Sequence, residues 1–197
     1  VMDKKYSIGI IGKGFVGTAV AHGFSQGVGY DANILIYDKD PAKSQNTLKE
    51  VVDQSDFIFV SVPTPSNKDG SINLNIVDEV INDISNISSN NNPIVLLRST
   101  IVPGTSREFQ QKYSGTKIVF NPEFLTERSA VFDFLSQTRY VLGGEKEDTK
   151  KVAELYRDRF GETISIVETD FESAELIKYV CNCFFATKVS FMNEMKQ

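Results

Sequence analysis

The sequence predicts an α/β fold, a doubly wound parallel sheet followed by one long C-terminal helix. Three observations carry this expectation. Short apolar runs alternate with stretches of helical period from residue 6 onward. A glycine-rich turn, Gly12-Lys13-Gly14-Phe15-Val16-Gly17, joins the first apolar run to the first helical stretch. The segment from Glu172 to about Met195 reads as one continuous helix with apolar residues on several faces.

Taken in order, Tyr6 to Ile11 reads as a buried strand and Phe15 to Gln26 as a helix. Ile34 to Tyr37 is the next strand, and Pro41 suits the first turn of a short helix. Phe57 to Val62 is almost wholly apolar, the pattern of a central parallel strand covered on both faces. Leu74, Val77, Val80, Ile81, Ile84 and Ile87 recur at helical spacing, and the asparagine- and serine-rich stretch 82–92 reads as a solvated loop after that helix. Ile94 to Leu97, Lys117 to Phe120 and Tyr140 to Leu142 follow as strands, then a helix over 147–159 and a strand over 163–167. This rhythm implies right-handed crossovers and a Rossmann-type sheet. The expected organisation is one such domain over 1–170, with 171–197 opening a long helix that belongs to a further part of the protein.

Composition bounds the partners. The chain has 197 residues, 41% hydrophobic and 24% charged, enough to bury a core. A net charge of −5 disfavours nucleic acid and membrane surfaces as general partners. No signal-like segment and no apolar run of spanning length is present in the sequence, so a cytoplasmic location is expected. Cys181 and Cys183 lie too close along a helix for a relaxed disulfide, and two thiols alone do not make a zinc site, so no metal is expected.

The glycine turn sits where a dinucleotide fingerprint belongs. Gly12 follows a strand and makes the tight turn, Gly14 lets backbone approach a pyrophosphate, and Gly17 lets the helix pack on the strand. Phe15 and Val16 begin that helix. Asp38 ends the second strand 21 residues beyond Gly17, where a carboxylate accepts the ribose hydroxyls of an adenosine and repels a 2′-phosphate. The expected cofactor is therefore NAD rather than NADP, with Lys39 beside the acid as the one contrary sign.

Ligands of an open parallel sheet sit beyond the carboxyl ends of its strands. The segments expected there are Val62-Pro63-Thr64-Pro65, Arg98-Ser99-Thr100 with Pro103-Gly104-Thr105, and Asn121-Pro122-Glu123-Phe124-Leu125-Thr126-Glu127. Lys178 and Asn182, four residues apart, share one face of the long helix. Singly, each has a plainer reading: Thr100 caps a helix, Glu123 and Glu127 edge one, and Lys178 is a surface lysine. His22, in the first helix, reads as structural.

Together and in this order, these motifs resemble the UDP-glucose/GDP-mannose dehydrogenase family, the Asn121-to-Leu125 block being the most specific of them and the glycine loop the least. The resemblance implies oxidation of a nucleotide-sugar alcohol to a carboxylate with two NAD. By position it implies that Lys178 and Asn182 stabilise an oxyanion, that Glu123 activates water, that Thr100 lies by the nicotinamide or an ordered water, and that Glu127 lies near cofactor and substrate. The chain departs from the family in flanking Glu127 with Thr126 and Arg128. The family's nucleophilic cysteine lies beyond the long helix, in a second domain. Cys181 and Cys183 are expected to be packing residues, and the chain to be the N-terminal, cofactor-binding part of an enzyme that is inactive alone and dimerises through the long helix when complete. Two other readings remain: a hydroxyacid dehydrogenase of the 3-hydroxyisobutyrate and 6-phosphogluconate type, with Lys178 as acid/base, and a non-catalytic NAD-binding module.

Overall fold

The computed structural model describes residues 6–196. One seven-stranded sheet organises it, in the spatial order β2-β1-β3-β4-β5-β6-β7. The strands are β1 (Ser7–Ile11), β2 (Asn33–Tyr37), β3 (Phe57–Val60), β4 (Ile94–Leu97), β5 (Lys117–Phe120), β6 (Arg139–Gly144) and β7 (Ser165–Thr169). The helices are α1 (Phe15–Gly23), α2 (Leu48–Gln54), α3 (Asn75–Ser85), α4 (Thr105–Lys112), α5 (Ala130–Ser136), α6 (Lys146–Phe160) and α7 (Phe171–Met195).

The apolar runs become the middle of the sheet for the reason their pattern suggests. Every residue of β3 and β4 is buried, because helices cover both faces. Ile8, Ile10, Phe59, Leu96 and Val119 face α1, α5 and α6 on one side, with Phe24, Phe134 and Tyr156 filling the layer. Ile11, Ile58, Val60, Val95 and Ile118 face α2, α3 and α4 on the other, with Val51, Ile81 and Phe109. β1 pairs in parallel with β2 on one side and β3 on the other, so the order in which strands are added to the sheet switches sides at that point. This is the switch at which an open sheet leaves a crevice.

Three departures from the sequence reading have physical causes. Pro41 starts no helix: residues 41–43 form a turn, and α2 begins at Leu48 behind a capping box. Thr47 Oγ1 accepts the Glu50 N–H at 3.2 Å and the Glu50 carboxylate accepts the Thr47 N–H at 2.7 Å, a Thr-x-x-Glu signature. A further helix, α5, lies over Ala130–Ser136, a stretch too short to carry a clear helical period. The sheet, finally, is not wholly parallel: β6 pairs antiparallel with β5, at Val119↔Gly144 and Phe120↔Gly143, and β7 runs parallel to β6. The cause is α5, which at seven residues spans only about 10 Å. It packs on α1, Phe134 lying against Gly23, and leaves the chain at the carboxyl edge of the sheet, from which β6 runs back.

α7 packs closely on β6 because Gly143 has no side chain. A Cβ there would lie 2.5 Å from the Ala174 Cβ and 2.8 Å from the Asp170 carbonyl oxygen. Only the first two turns of α7 are covered, with Phe171, Ala174, Glu175 and Lys178 buried. The remainder of its 25 residues carries exposed apolar side chains, among them Phe184, Phe185, Val189 and Met192.

Candidate cofactor and active site

The three glycines of the loop are there for three different reasons. Gly12 has φ +91°, and a Cβ would meet the Ser61 carbonyl oxygen at 2.5 Å. At Gly17 a Cβ would lie 2.0 Å from the Gly12 carbonyl oxygen, so its absence is what lets α1 sit on the loop. Gly14 is the opposite case: a Cβ there would have no atom within 4 Å. Nothing in the protein needs position 14 to be bare, which leaves that space for a ligand. Gly14 is also the N-cap of α1 and supplies no side-chain cap, so the first N–H groups of the helix face the same space without an intrahelical partner. An anionic pyrophosphate fits this cradle.

Asp38 closes the loop from the next strand. Its Oδ2 accepts the Lys13 N–H at 2.6 Å and its Oδ1 accepts the Asp40 N–H at 2.8 Å. A carboxylate offers about four acceptor positions, so both oxygens keep capacity for ribose hydroxyls.

Two lobes meet at Gly14 and Ser61-Val62-Pro63. The larger, about 690 Å³, has an apolar floor of Ile11, Tyr37, Leu48, Val62, Ile76 and Val80, with Asp38, Lys39, Lys43, Glu79 and Asp83 among its polar lining. The smaller, about 370 Å³, is lined by Phe15, Val16, Thr64, Arg98, Ser99, Thr100 and Glu123. The loops between them are tied together: Thr64 Oγ1 donates to the Thr100 carbonyl at 3.0 Å and Ser99 Oγ to the Val62 carbonyl at 2.5 Å. An adenosine half and a nicotinamide half, joined at a pyrophosphate over Gly14, match this shape.

Lys178 of α7 meets the smaller lobe's Glu123 from behind. Its ammonium donates to the Glu123 backbone carbonyl and lies 3.2 Å from Glu123 Oε1. Both side chains are largely buried, at 7% and 15% exposure. Glu123 is held in turn by the Leu125 N–H, which donates to Oε2 at 2.7 Å. One turn earlier on α7, Glu175 is fully buried and accepts the Gly104 and Ser106 N–H groups at 2.6 and 2.8 Å. It thereby caps the start of α4 and fixes the height of α7 against the sheet. Burial pushes the Glu175 carboxyl above its ordinary value, against the pull of those two N–H groups.

The structure thus brings Gly12, Gly14, Phe15, Val16, Asp38, Lys39, Val62, Pro63, Thr64, Thr100 and Glu123 onto one continuous cleft, with Gly17 beneath it and Lys178 at its edge. Two expected residues stand apart. Asn182 is exposed one turn beyond Lys178, and Glu127 is exposed in a short 3₁₀ turn lining a separate depression with Thr18 and Phe132, which touches the cleft only through Phe15. Cys181 is half-buried and Cys183 exposed, on the part of α7 that this chain leaves uncovered. Among the described residues no cluster of three or more His, Cys, Asp or Glu could hold a metal, and no helix is long and apolar enough to cross a membrane.

The sequence reading missed the walls of the larger lobe. Ile76 and Val80 were legible as one i, i+4 face of α3, distinct from its buried Val77, Ile81 and Ile84. It also gave no role to Arg98, which is 1% exposed and donates to Asn121 Oδ1 at 2.6 Å.

A glycine loop on a sheet switch point, a carboxylate at the end of the next strand and a two-lobed cleft define an NAD-binding Rossmann-type oxidoreductase domain. Comparison with known proteins narrows the class. Residues 42–159 match the NAD binding domain of the UDP-glucose/GDP-mannose dehydrogenase family, and residues 172–197 match its central domain. The chain belongs to the UDP-glucose/GDP-mannose dehydrogenase family. A UDP-glucose 6-dehydrogenase of Haloferax volcanii is 30% identical over 95% of the chain and 53% of its own length. One from Bacillus subtilis is 36% identical over 72% of the chain and 33% of its own length. Among solved structures, a GDP-mannose dehydrogenase from Pseudomonas aeruginosa superposes with TM-score 0.81 at 28% identity, covering 95% of this chain and 51% of that one. The chain therefore spans about half the length, or less, of these three relatives.

Proposed function

We propose that this chain is the cofactor-binding part of an enzyme that oxidises the alcohol of a nucleotide sugar of the UDP-glucose or GDP-mannose type to a carboxylate. The observation that carries the reading is the buried Lys178, held against the Glu123 carbonyl and carboxylate at the edge of the smaller lobe. NAD, when bound, accepts the hydride. Lys178 places a positive charge where an alcohol oxygen gathers negative charge, and Asn182, one turn on, adds a donor when a substrate closes over it. Glu123 holds a carboxylate able to take a proton from water. Thr100 sits at the nicotinamide end of the cleft. Glu127 lies near cofactor and substrate in the assembled enzyme. The domain runs over 1–170, and 171–197 opens the long helix, whose exposed Val180, Phe184 and Val189 form the contact between two copies in a homodimer.

On this reading the 197 residues bind NAD in preference to NADP and do not complete the four-electron oxidation, since the family's thiol nucleophile is not among them. Calorimetric titration with NAD and NADP, followed by product analysis with UDP-glucose and GDP-mannose, tests this. Equal affinity for the two cofactors would overturn it. NADH formed from a 3-hydroxyacid would move the chain to a single-oxidation dehydrogenase with Lys178 as acid/base.

A further inference from the structure

Among the described residues, Arg98 is a buried cation with no ion-pair partner. It follows β4, packs its guanidinium 5.9 Å from the ring centroids of both Phe59 and Phe134, and donates through Nη1 to Asn121 Oδ1 and, at 3.3 Å, to the Tyr156 hydroxyl. Its Nε and Nη2 are buried and have no hydrogen-bond partner among the described residues. Both of the groups it does touch are neutral. Asn121 carries no charge, and burial pushes the Tyr156 phenol up to about 12, so that it remains protonated at neutral pH. The Asn121 amide is itself held in place, since its Nδ2 donates to the Val141 carbonyl at 3.1 Å.

Leaving a guanidinium in this state is costly, since a buried charge is ordinarily paired. Its place in the fold gives the cost a use. Arg98 lines the smaller lobe of the cleft together with Thr64, Ser99, Thr100 and Glu123. The carboxylate of that lobe, Glu123, is already matched by Lys178. With Lys178 counted behind Glu123, the charges around the lobe leave the Arg98 cation in excess, sealed from solvent and so little screened by salt. Because Nε and Nη2 are inaccessible, no ligand atom meets them; the group acts through its field.

We infer that Arg98 tunes the nicotinamide lobe by charge, favouring the uncharged reduced ring over the cationic oxidised one. This rests on NAD occupying the cleft with its nicotinamide in the smaller lobe. The consequence is a site biased toward the reduced cofactor, the direction in which an alcohol is oxidised. The field of one buried unit charge across a side-chain layer is worth roughly tenfold in the ratio of the two affinities.

The test is the ratio of dissociation constants for NAD and NADH, measured by calorimetry on the full chain. In Arg98→Met the ratio of the NAD value to the NADH value falls about tenfold. In Arg98→Lys, which keeps the charge, and in Tyr156→Phe, which disturbs the same network without touching it, the ratio stays at the wild-type value. A purely structural role would weaken both cofactors together and leave the ratio unmoved, and an unmoved ratio in Arg98→Met overturns the inference. Should that variant not fold, wild-type titrations decide. NADH bound more tightly than ADP-ribose, with NAD no tighter than ADP-ribose, supports it, and NAD bound more tightly than NADH overturns it. Failure of the wild type to bind either cofactor would sink the reading of the cleft itself, a different outcome.

Discussion

Replacing Gly14 by alanine separates the ligand's need for a bare position from the fold's. The residue has φ −81° and ψ −163°, an extended conformation open to alanine, and the new methyl meets no atom within 4 Å. Two small effects act on stability. Alanine is the poorer N-cap, by something under about 1 kcal/mol relative to glycine, while the stiffer unfolded chain returns about 0.4–1 kcal/mol. They nearly cancel, so the melting temperature should move by no more than about 3 °C. Binding is another matter. A methyl pressed into space filled by a pyrophosphate costs about 1–3 kcal/mol, as overpacking does in a core, or roughly 5- to 150-fold in Kd. Differential scanning calorimetry and NAD titration on the same preparation read both quantities. Gly17→Ala is the control, since its Cβ would lie 2.0 Å from the Gly12 carbonyl and must displace backbone. That variant should lose melting temperature and NAD together. Wild-type NAD affinity in a folded Gly14→Ala protein would refute the placement of the pyrophosphate.

Three further outcomes follow from the same geometry. Asp38→Asn, which keeps the side chain's shape but removes its charge, should weaken NAD about tenfold or more and narrow the preference over NADP; an unchanged ratio by calorimetry would remove Asp38 from the ribose site. A double-mutant cycle of Lys178→Met and Glu123→Gln in urea unfolding should give a coupling of about 1–3 kcal/mol, because both partners are largely buried; strict additivity would mean that the pair is incidental. Glu175 should leave a signature in pH. Its folded pKa is raised by burial, above an unfolded value of about 4.3, so the native state holds the proton more tightly. The stability this contributes is full below the unfolded value and is lost as pH rises through the folded one. The stability of wild type relative to Glu175→Gln should therefore fall from acid toward neutral pH in urea unfolding, and a rise would show that the ionised form is the one the fold prefers.

Much of this architecture was readable without coordinates, and the reasons are local. β3 and β4 announce themselves because burial on both faces requires unbroken apolar sequence. The glycine loop was legible because strand, turn and helix each leave a mark within ten residues. What was not legible depends on contacts between segments distant in sequence. The reversal at β6 is set by how far the short α5 carries the chain, and no periodicity records that. Arg98 looked like part of a loop motif, whereas its burial comes from Phe59, Phe134 and Tyr156, which lie in three other elements. The placement of α2 is a different failure. The Thr47–Glu50 capping box was present in the sequence, and the proline at 41 drew the helix start to the wrong turn.

The reversal is also what makes a site possible on this sheet. The glycine loop and Asp38 shape one end of the cleft, but they come from β1 and β2 and supply no charged group at the other end. With β6 and β7 running opposite to the first five strands, α7 begins beside Gly143, next to Phe120 in the sheet register. Two turns are then enough to carry Lys178 to Glu123, three residues beyond the end of β5. Glu175 sets the axial position of that helix through the N-terminus of α4, which itself follows Thr100 in the chain. The lysine, the carboxylate and the threonine are thus placed by elements that brace one another, rather than by three independent loops. A change at Gly143 or Glu175, neither of which lines the cleft, should accordingly disturb Lys178 before it disturbs the binding of NAD.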